Sequence, residues 1–179
     1  MIKTLRSVMI IMLSMGVLLG LCSCRMKESY KEFKINNITD NLHNDYFTTE
    51  EFSFARIQDV VIIPEVKAIN HGEYVIYISV YSKNGKESVQ IKNVVFKEKE
   101  TILFNNELDK KIEFKENAES IYEGWTDGGT FTEESLKVAD GKKYDLVIEV
   151  EVIKNGAHIS ENITFEIVVK GYKSFVWPT

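Results

Sequence analysis

The sequence predicts an all-β protein, an antiparallel β-sandwich, and three observations carry that prediction. Segments rich in Val, Ile, Tyr and Phe follow one another from Phe52 onward, which is the composition of strands. No long segment has convincing helical periodicity. Two Asn-Gly pairs, Asn84-Gly85 and Asn155-Gly156, are typical of two-residue hairpin turns, because both turn residues must accept positive φ.

Seven segments are predicted as strands from their β-branched and aromatic residues. They cover Phe52 to Ile63, Glu73 to Tyr81, Val89 to Lys97, Lys110 to Phe114, Ser120 to Trp125, Tyr144 to Lys154 and His158 to Lys170.

The Asn155-Gly156 pair predicts a C-terminal hairpin with a defined register. A two-residue turn places apolar residues opposite one another on one face, as Val152 with Ile159, Ile148 with Ile163, Leu146 with Phe165 and Tyr144 with Ile167. Glutamates fall on the other face. A slip of one residue would mix the two faces, so the pattern specifies this register.

The Asn84-Gly85 pair predicts a second hairpin, in which Val80 faces Val89, Ile78 faces Ile91 and Tyr74 faces Val95. Each sheet then has one apolar side, and two such sheets cover each other. At this length the prediction is an immunoglobulin-like architecture. The Cys-Trp-Cys core of antibody domains is absent, so the likeness is one of architecture only. The runner-up is a single closed, up-and-down sheet.

The first residues have the pattern of a secretory signal. Lys3 and Arg6 precede an apolar run from Val8 to Leu21, which is shorter than the roughly 20 residues that cross a bilayer as a helix. A charged start before a short apolar core is typical of a processed signal peptide.

The apolar run ends in Leu21-Cys22-Ser23-Cys24, which resembles the lipobox of bacterial lipoproteins. The resemblance implies cleavage before Cys24 and lipidation of that cysteine, with a diacylglycerol and an N-acyl chain. It also implies anchoring in the cell envelope. For a two-membraned host, the family's sorting rule implies from Arg25 that the anchor lies in the outer membrane, with the domain facing the periplasm; for a host with one membrane, the resemblance implies the cell membrane. A plain secretory signal and an uncleaved anchor are the alternatives.

Three segments follow from these observations. Residues 1–23 are predicted as the signal peptide, 24–50 as the lipidated N-terminus and a polar tether, and 51–179 as the β-sandwich domain.

The composition argues against several classes of function. The chain of 179 residues has a formal net charge of −5, whereas nucleic-acid binding needs basic patches. Three His and two Cys offer few ligands to a transition metal. We therefore expect no metal, no cofactor besides the acyl chains and no nucleic-acid partner. Asp127-Gly128-Gly129 is interpreted as a turn rather than a calcium loop.

Two groups of residues are candidates for binding a partner. Tyr122, Trp125 and Phe131 form an aromatic, glycine-containing segment, and Tyr and Trp are enriched in binding hot spots. Glu149, Glu151 and Glu166 lie on the polar face of the C-terminal hairpin and would suit a basic partner. The alternative for Trp125 and Phe131 is that they close one end of the sandwich.

The sequence favours a membrane-anchored, non-catalytic binding domain whose partner in the envelope is a protein or a glycan. No local catalytic motif is present, so we expect no enzymatic activity. One alternative is an immunity or inhibitor lipoprotein that neutralises a secreted toxin or an envelope-degrading enzyme. A second is a hydrolase that uses the paired carboxylates.

Overall fold

A computed structural model describes residues 26–36, 46–48, 50–70, 72–118 and 120–175. The chain divides into two compact units, one of residues 31–171 and one of residues 1–30 with 172–179. Of the smaller unit, the structure describes residues 26–30 and 172–175, which belong to the first and last strands of the chain. The predicted signal peptide, Cys24 and residues 37–45 of the predicted tether lie outside them.

Within the described residues, ten strands form two five-stranded sheets, and every pairing with a defined register is antiparallel. The strands are β1 (Met26–Ile35), β2 (Arg56–Ile57), β3 (Val60–Asn70), β4 (Glu73–Ser82), β5 (Ser88–Glu98), β6 (Thr101–Lys111), β7 (Lys115–Glu116), β8 (Tyr122–Thr132), β9 (Lys143–Lys154) and β10 (Ala157–Phe175). The first sheet has the order β1-β10-β9-β5-β6 and the second has the order β2-β3-β4-β8-β7. A 3-10 helix (Glu50–Ala55) precedes β2, and the one-turn helix α1 (Glu133–Leu136) follows β8.

The strand order confirms the predicted immunoglobulin-like sandwich. Strands β3-β4-β8-β7 have the order of strands A, B, E and D of an immunoglobulin domain, and β10-β9-β5-β6 have the order G, F, C and C′. β1 adds a further strand beside β10, and the short β2 lies beside β3.

Tyr144, near the start of β9, has the hydrogen bond typical of the tyrosine corner in such domains. Its hydroxyl accepts a hydrogen bond of 2.7 Å from the backbone N–H of Ala139, five residues upstream. The Tyr144 side chain is buried. The contact fixes the turn that carries the chain from the second sheet back to the first.

The core lies between the two sheets and is built from the alternating apolar residues of both. Ile76, Ile78 and Val80 of β4 are fully buried, as are Leu146, Ile148, Val150 and Val152 of β9. At one end, an aromatic cluster joins Phe33 of β1 to Tyr74 and Phe131, with ring centroids 4.9 and 5.5 Å from Phe33.

The C-terminal hairpin forms in the predicted register. Val152 pairs with Ile159, and Leu146 pairs with Phe165. Asn155 and Gly156 both have positive φ, of 51° and 81°, as the two-residue turn requires.

The second predicted hairpin is wrong. β4 pairs with β3 and β8, whereas β5 belongs to the other sheet and pairs with β6 and β9. Only Gly85 of the Asn84-Gly85 pair has positive φ, and the segment carries the chain across the core. Alternation of apolar residues shows which face of a strand is buried. It does not show whether two such strands are neighbours in one sheet or belong to two sheets whose apolar faces pack together.

Buried polar contacts hold this crossing in place. The Ser82 hydroxyl accepts hydrogen bonds from the N–H groups of Asn84 and Gly85, at 3.2 and 2.8 Å, and donates one of 2.5 Å to Glu87. Lys154 lies 3.4 Å from the buried Glu87 carboxylate and also pairs with Asp59. Burial acts to raise the pKa of Glu87, but the Ser82 and Lys154 contacts hold it below its usual range.

Three further segments differ from the prediction. Residues predicted as one strand from Phe52 to Ile63 form the end of the 3-10 helix, β2, a turn and the start of β3. The segment predicted as a strand from Lys110 to Phe114 overlaps β6 only at Lys110 and Lys111, because β6 covers Thr101–Lys111. Part of the predicted tether is the strand β1, and its Phe33 is buried in the core. In β1, Phe33 and Ile35 contact the core among mostly polar neighbours, and so weak an apolar pattern does not stand out from a polar linker.

No helix within the described part of the chain is long and apolar enough to cross a membrane.

Candidate functional site

The outer face of the second sheet carries an open groove of about 780 Å³. Its lining residues come from β3, β4, the end of β6, the segment between β6 and β7, β7 and β8. They are Glu65, Lys67, Tyr77, Ser79, Tyr81, Lys111, Glu113, Lys115, Glu123, Gly124 and Trp125. We call this surface the Trp125 groove.

The floor of the groove is formed by outward-facing residues of β4 and β8, which the register between the two strands places side by side. Tyr77, Ser79 and Tyr81 point outward, while the residues between them are buried in the core. Ser79 lies opposite Trp125, and Tyr81 lies opposite Glu123. The outward side chains of the two strands therefore share one surface.

Gly124 lets a neighbouring segment approach β8 closely. A Cβ atom at this position would lie 2.4 Å from the Ile112 side chain and 2.7 Å from the Glu113 carbonyl oxygen, distances at which atoms clash. The absence of a side chain brings the segment before β7 against the sheet. Lys111 and Glu113 consequently border the groove.

Trp125 is the most exposed large apolar side chain among the described residues, at 70% of its full accessible surface. Its nearest aromatic neighbour is Tyr77, whose ring centroid lies 6.3 Å away at an interplanar angle of 66°. The Tyr77 ring therefore touches the indole without stacking on it. On the other side of Tyr77, the Lys67 ammonium lies 5.5 Å from the ring centroid and pairs with Glu65 at 2.8 Å.

Tyr81 extends the aromatic surface toward the 3-10 helix. Its ring stacks on Tyr46 at 4.3 Å with an interplanar angle of 16°. Tyr46 in turn packs edge-on against the buried Phe52. These contacts fix Tyr81 in one position, so the floor of the groove is preorganised at this end.

The groove carries no net charge, because three lysines face three glutamates. Of these, Lys67 and Glu65 form an ion pair. Lys111 and Lys115 make no ion pair with any residue that the structure describes. The groove thus offers both hydrogen-bond donors and acceptors around an aromatic floor.

The predicted aromatic segment is a strand, and it places its three candidate residues in different environments. Trp125 faces the groove. Tyr122 lies on the inner side of β8, against Gly85, and its hydroxyl is 3.5 Å from Glu116. Phe131 is 3% exposed and packs against Phe33 in the core, so it presents no contact surface.

A β-bulge explains why Trp125 and Phe131 differ. They are six residues apart, and a regular strand would place both on one face. Residue 127 lies opposite Tyr77 and residue 130 opposite Val75, so β8 holds one extra residue at this point. The bulge contains Gly128 and Gly129, where the sequence predicts a turn, and it reverses the direction of the side chains beyond it.

The candidate glutamates lie on the outer face of the other sheet, apart from the Trp125 groove. Glu151 contacts His158 at 3.0 Å and Lys92 at 3.2 Å, and these two contacts lower its pKa. Lys143, at 2.9 Å, and Asn36 lower the pKa of Glu166 in the same way.

These environments give no support to acid–base catalysis by the candidate glutamates. A general acid at neutral pH needs a raised pKa, whereas Glu151 and Glu166 have lowered pKa values. Glu149 lies opposite Asn162 and makes no ion pair within the described ranges. Across the described residues, no group of His, Cys, Asp and Glu is arranged to hold a metal ion.

Sequence reasoning missed Tyr77, Tyr81 and the lysines as partners of Trp125. Their outward direction follows from the alternation of β4. Their position beside Trp125 depends on the pairing of β4 with β8, whereas the hairpin predicted at Asn84-Gly85 places β5 beside β4 instead.

A search of protein-family models found no match to the chain, and no curated protein matches it.

Proposed function

We propose that the protein is a membrane-anchored lipoprotein of the bacterial cell envelope, and that its β-sandwich is a non-catalytic binding domain. The Trp125 groove is its binding surface. The observation that carries this proposal is the exposure of Trp125, at 70%, on the floor of the groove.

Exposed tryptophans of this kind are typical of binding surfaces. Large aromatic side chains are mostly buried in soluble domains, and tryptophan is the residue type most enriched among interface residues that dominate binding energy. Trp125 leaves 70% of its surface to solvent and has a tilted contact with the Tyr77 ring, so packing stability gives little reason for a tryptophan at this position. Burial by a ligand supplies that reason.

The anchor part of the proposal rests on the lipobox that ends in Cys24. Strand β1 contributes Phe33 to the core, and Lys31 bonds to the folded domain. Eight residues separate Cys24 from the buried Phe33, and a fully extended chain of that length reaches at most about 30 Å. The groove would work close to the bilayer, on ligands of the envelope.

The alternative of a toxin-neutralising inhibitor is less well supported. It depends on an acidic sheet face that steers a basic partner. Glu151 and Glu166, two of the three candidate glutamates, are paired with Lys92 and Lys143. The pairs reduce the negative potential that such a partner would meet.

The proposal is tested by photo-crosslinking of the full-length chain in cells. A photoreactive side chain replaces Lys115, at the rim of the groove, and a matched variant carries it at Thr164, an exposed position on the outer face of the other sheet. We expect adducts from position 115 that disappear when Trp125→Ala is added, and none from position 164.

The same cells test the anchor. Cys24→Ala should leave the chain out of the membrane fraction, and mass spectrometry of the wild-type chain should show an acylated Cys24 as its first residue. Equal adducts at both positions, or unchanged membrane fractionation of Cys24→Ala, would contradict the corresponding part of the proposal.

A further inference from the structure

We infer that the ligand of the Trp125 groove is a neutral oligosaccharide, one pyranose ring of which packs on the Trp125 indole. The inference rests on the proposed binding function of the groove and names the chemistry of what binds there. Four features of the groove lead to it.

The first feature is the flat, accessible indole. Trp125 is 70% exposed and has no ring stacked on it among the described residues. The face of an aromatic ring carries negative charge density and attracts weakly positive hydrogens. The C–H hydrogens on one face of a pyranose ring form a flat apolar patch of matching size.

The second feature is the polar rim. Sugar hydroxyls both donate and accept hydrogen bonds, so their binding sites need both kinds of partner. Lys111 and Lys115 supply donors, Glu113 and Glu123 supply acceptors, and the Ser79 hydroxyl serves as either.

The third feature is the charge balance. Three lysines and three glutamates leave the groove without net charge. A polyanion needs an excess of basic residues, and a basic peptide needs an excess of acidic ones. A neutral ligand with many hydroxyl groups fits this balance better than either.

The fourth feature distinguishes a saccharide from a protein partner. Lysine and glutamate are depleted in the cores of protein interfaces, yet they make up six of the eleven residues that line the groove. The volume of about 780 Å³ lies within the range of roughly 300–1,000 Å³ that holds small ligands. It is large enough for a short oligosaccharide.

The experiment titrates the full-length protein with three neutral tetrasaccharides: cellotetraose, chitotetraose and maltotetraose. The chain contains two tryptophans, so Trp177→Phe leaves Trp125 as the only indole and makes its fluorescence a reporter of the groove. We expect a saturable fluorescence change with at least one of the three sugars. By calorimetry, Trp125→Ala should weaken that binding about tenfold or more.

Ile102→Ala is the matched control, because Ile102 is 61% exposed and does not line the groove. It should bind the sugars as the wild type does. Both variants remove an exposed side chain, so their melting temperatures should stay close to that of the wild type.

The outcomes separate the inference from the proposed function. If none of the tetrasaccharides binds while the crosslinker at position 115 captures a protein, the saccharide inference is overturned and the groove remains the binding surface. If a sugar binds Trp125→Ala as tightly as the wild type, both the inference and the assignment of the groove are overturned.

Discussion

Tyr74 connects three elements through a single buried hydroxyl. It accepts a hydrogen bond of 2.8 Å from the Lys31 N–H of β1 and donates one of 2.7 Å to the Glu133 carboxylate of α1. Lys31 also donates to the Val138 carbonyl at 2.7 Å. Burial of the ring, 1% exposed, and the bond to Glu133 raise the pKa of Tyr74 to about 12.

The raised pKa predicts loss of stability at alkaline pH. Tyr74 titrates near pH 10 when unfolded and near 12 when folded, so its contribution is complete below pH 10 and is lost as the pH rises through 12. The loss amounts to about 2 to 3 kcal/mol in the free energy of unfolding. Urea unfolding across this range measures it.

Tyr74→Phe is the control for this titration, because it keeps the ring and removes the ionisable group. Its stability should fall less steeply than that of the wild type above pH 10. Parallel pH profiles for the two proteins would show that the Tyr74 hydroxyl is not buried as described.

At the scale of elements, β1 is the feature most easily mistaken for a linker. Its Phe33 is 7% exposed and packs edge-on against the rings of Tyr74, Phe96 and Phe131. The strand is therefore part of the core, although its remaining side chains are mostly polar.

We predict that Phe33→Ala lowers the free energy of unfolding by about 3 to 5 kcal/mol, because it removes a large buried side chain and leaves a cavity. Lys34→Ala, at an exposed position in the same strand, should change it by less than about 0.5 kcal/mol. Urea unfolding of both variants measures the difference. Equal stability of the two would mean that β1 does not dock in the core.

The two Asn-Gly pairs show when a local sequence pattern predicts a β-hairpin correctly and when it does not. At Asn155-Gly156 the flanking strands are joined by a two-residue turn, so local turn chemistry and apolar alternation act together and the register is predictable. At Asn84-Gly85 the same local pattern lies where the chain changes sheets. The crossing depends on the pairing of β4 with β8 and of β5 with β9, and these pairings join segments that are distant in sequence.

At the scale of the whole molecule, the sandwich was predictable because β4, β5 and β9 each have one apolar face that another sheet must cover. The candidate site was predictable only in part. Trp125 was identified from its residue type, but its separation from Phe131 depends on the bulge at Gly128-Gly129, and its neighbours depend on the pairing of β4 with β8. The bulge in β8 and the pairing of β4 with β8 both depend on contacts between parts of the chain that are distant in sequence.

The central claim is that a ligand in the envelope covers Trp125, and the reactivity of its indole tests this most directly. A tryptophan-selective reagent is applied to the purified protein and to intact envelopes that carry the anchored chain, and mass spectrometry measures modification of the peptide that contains Trp125. At 70% exposure, the indole should react readily in the purified protein and markedly more slowly in the envelope. Equal modification in both would contradict the account.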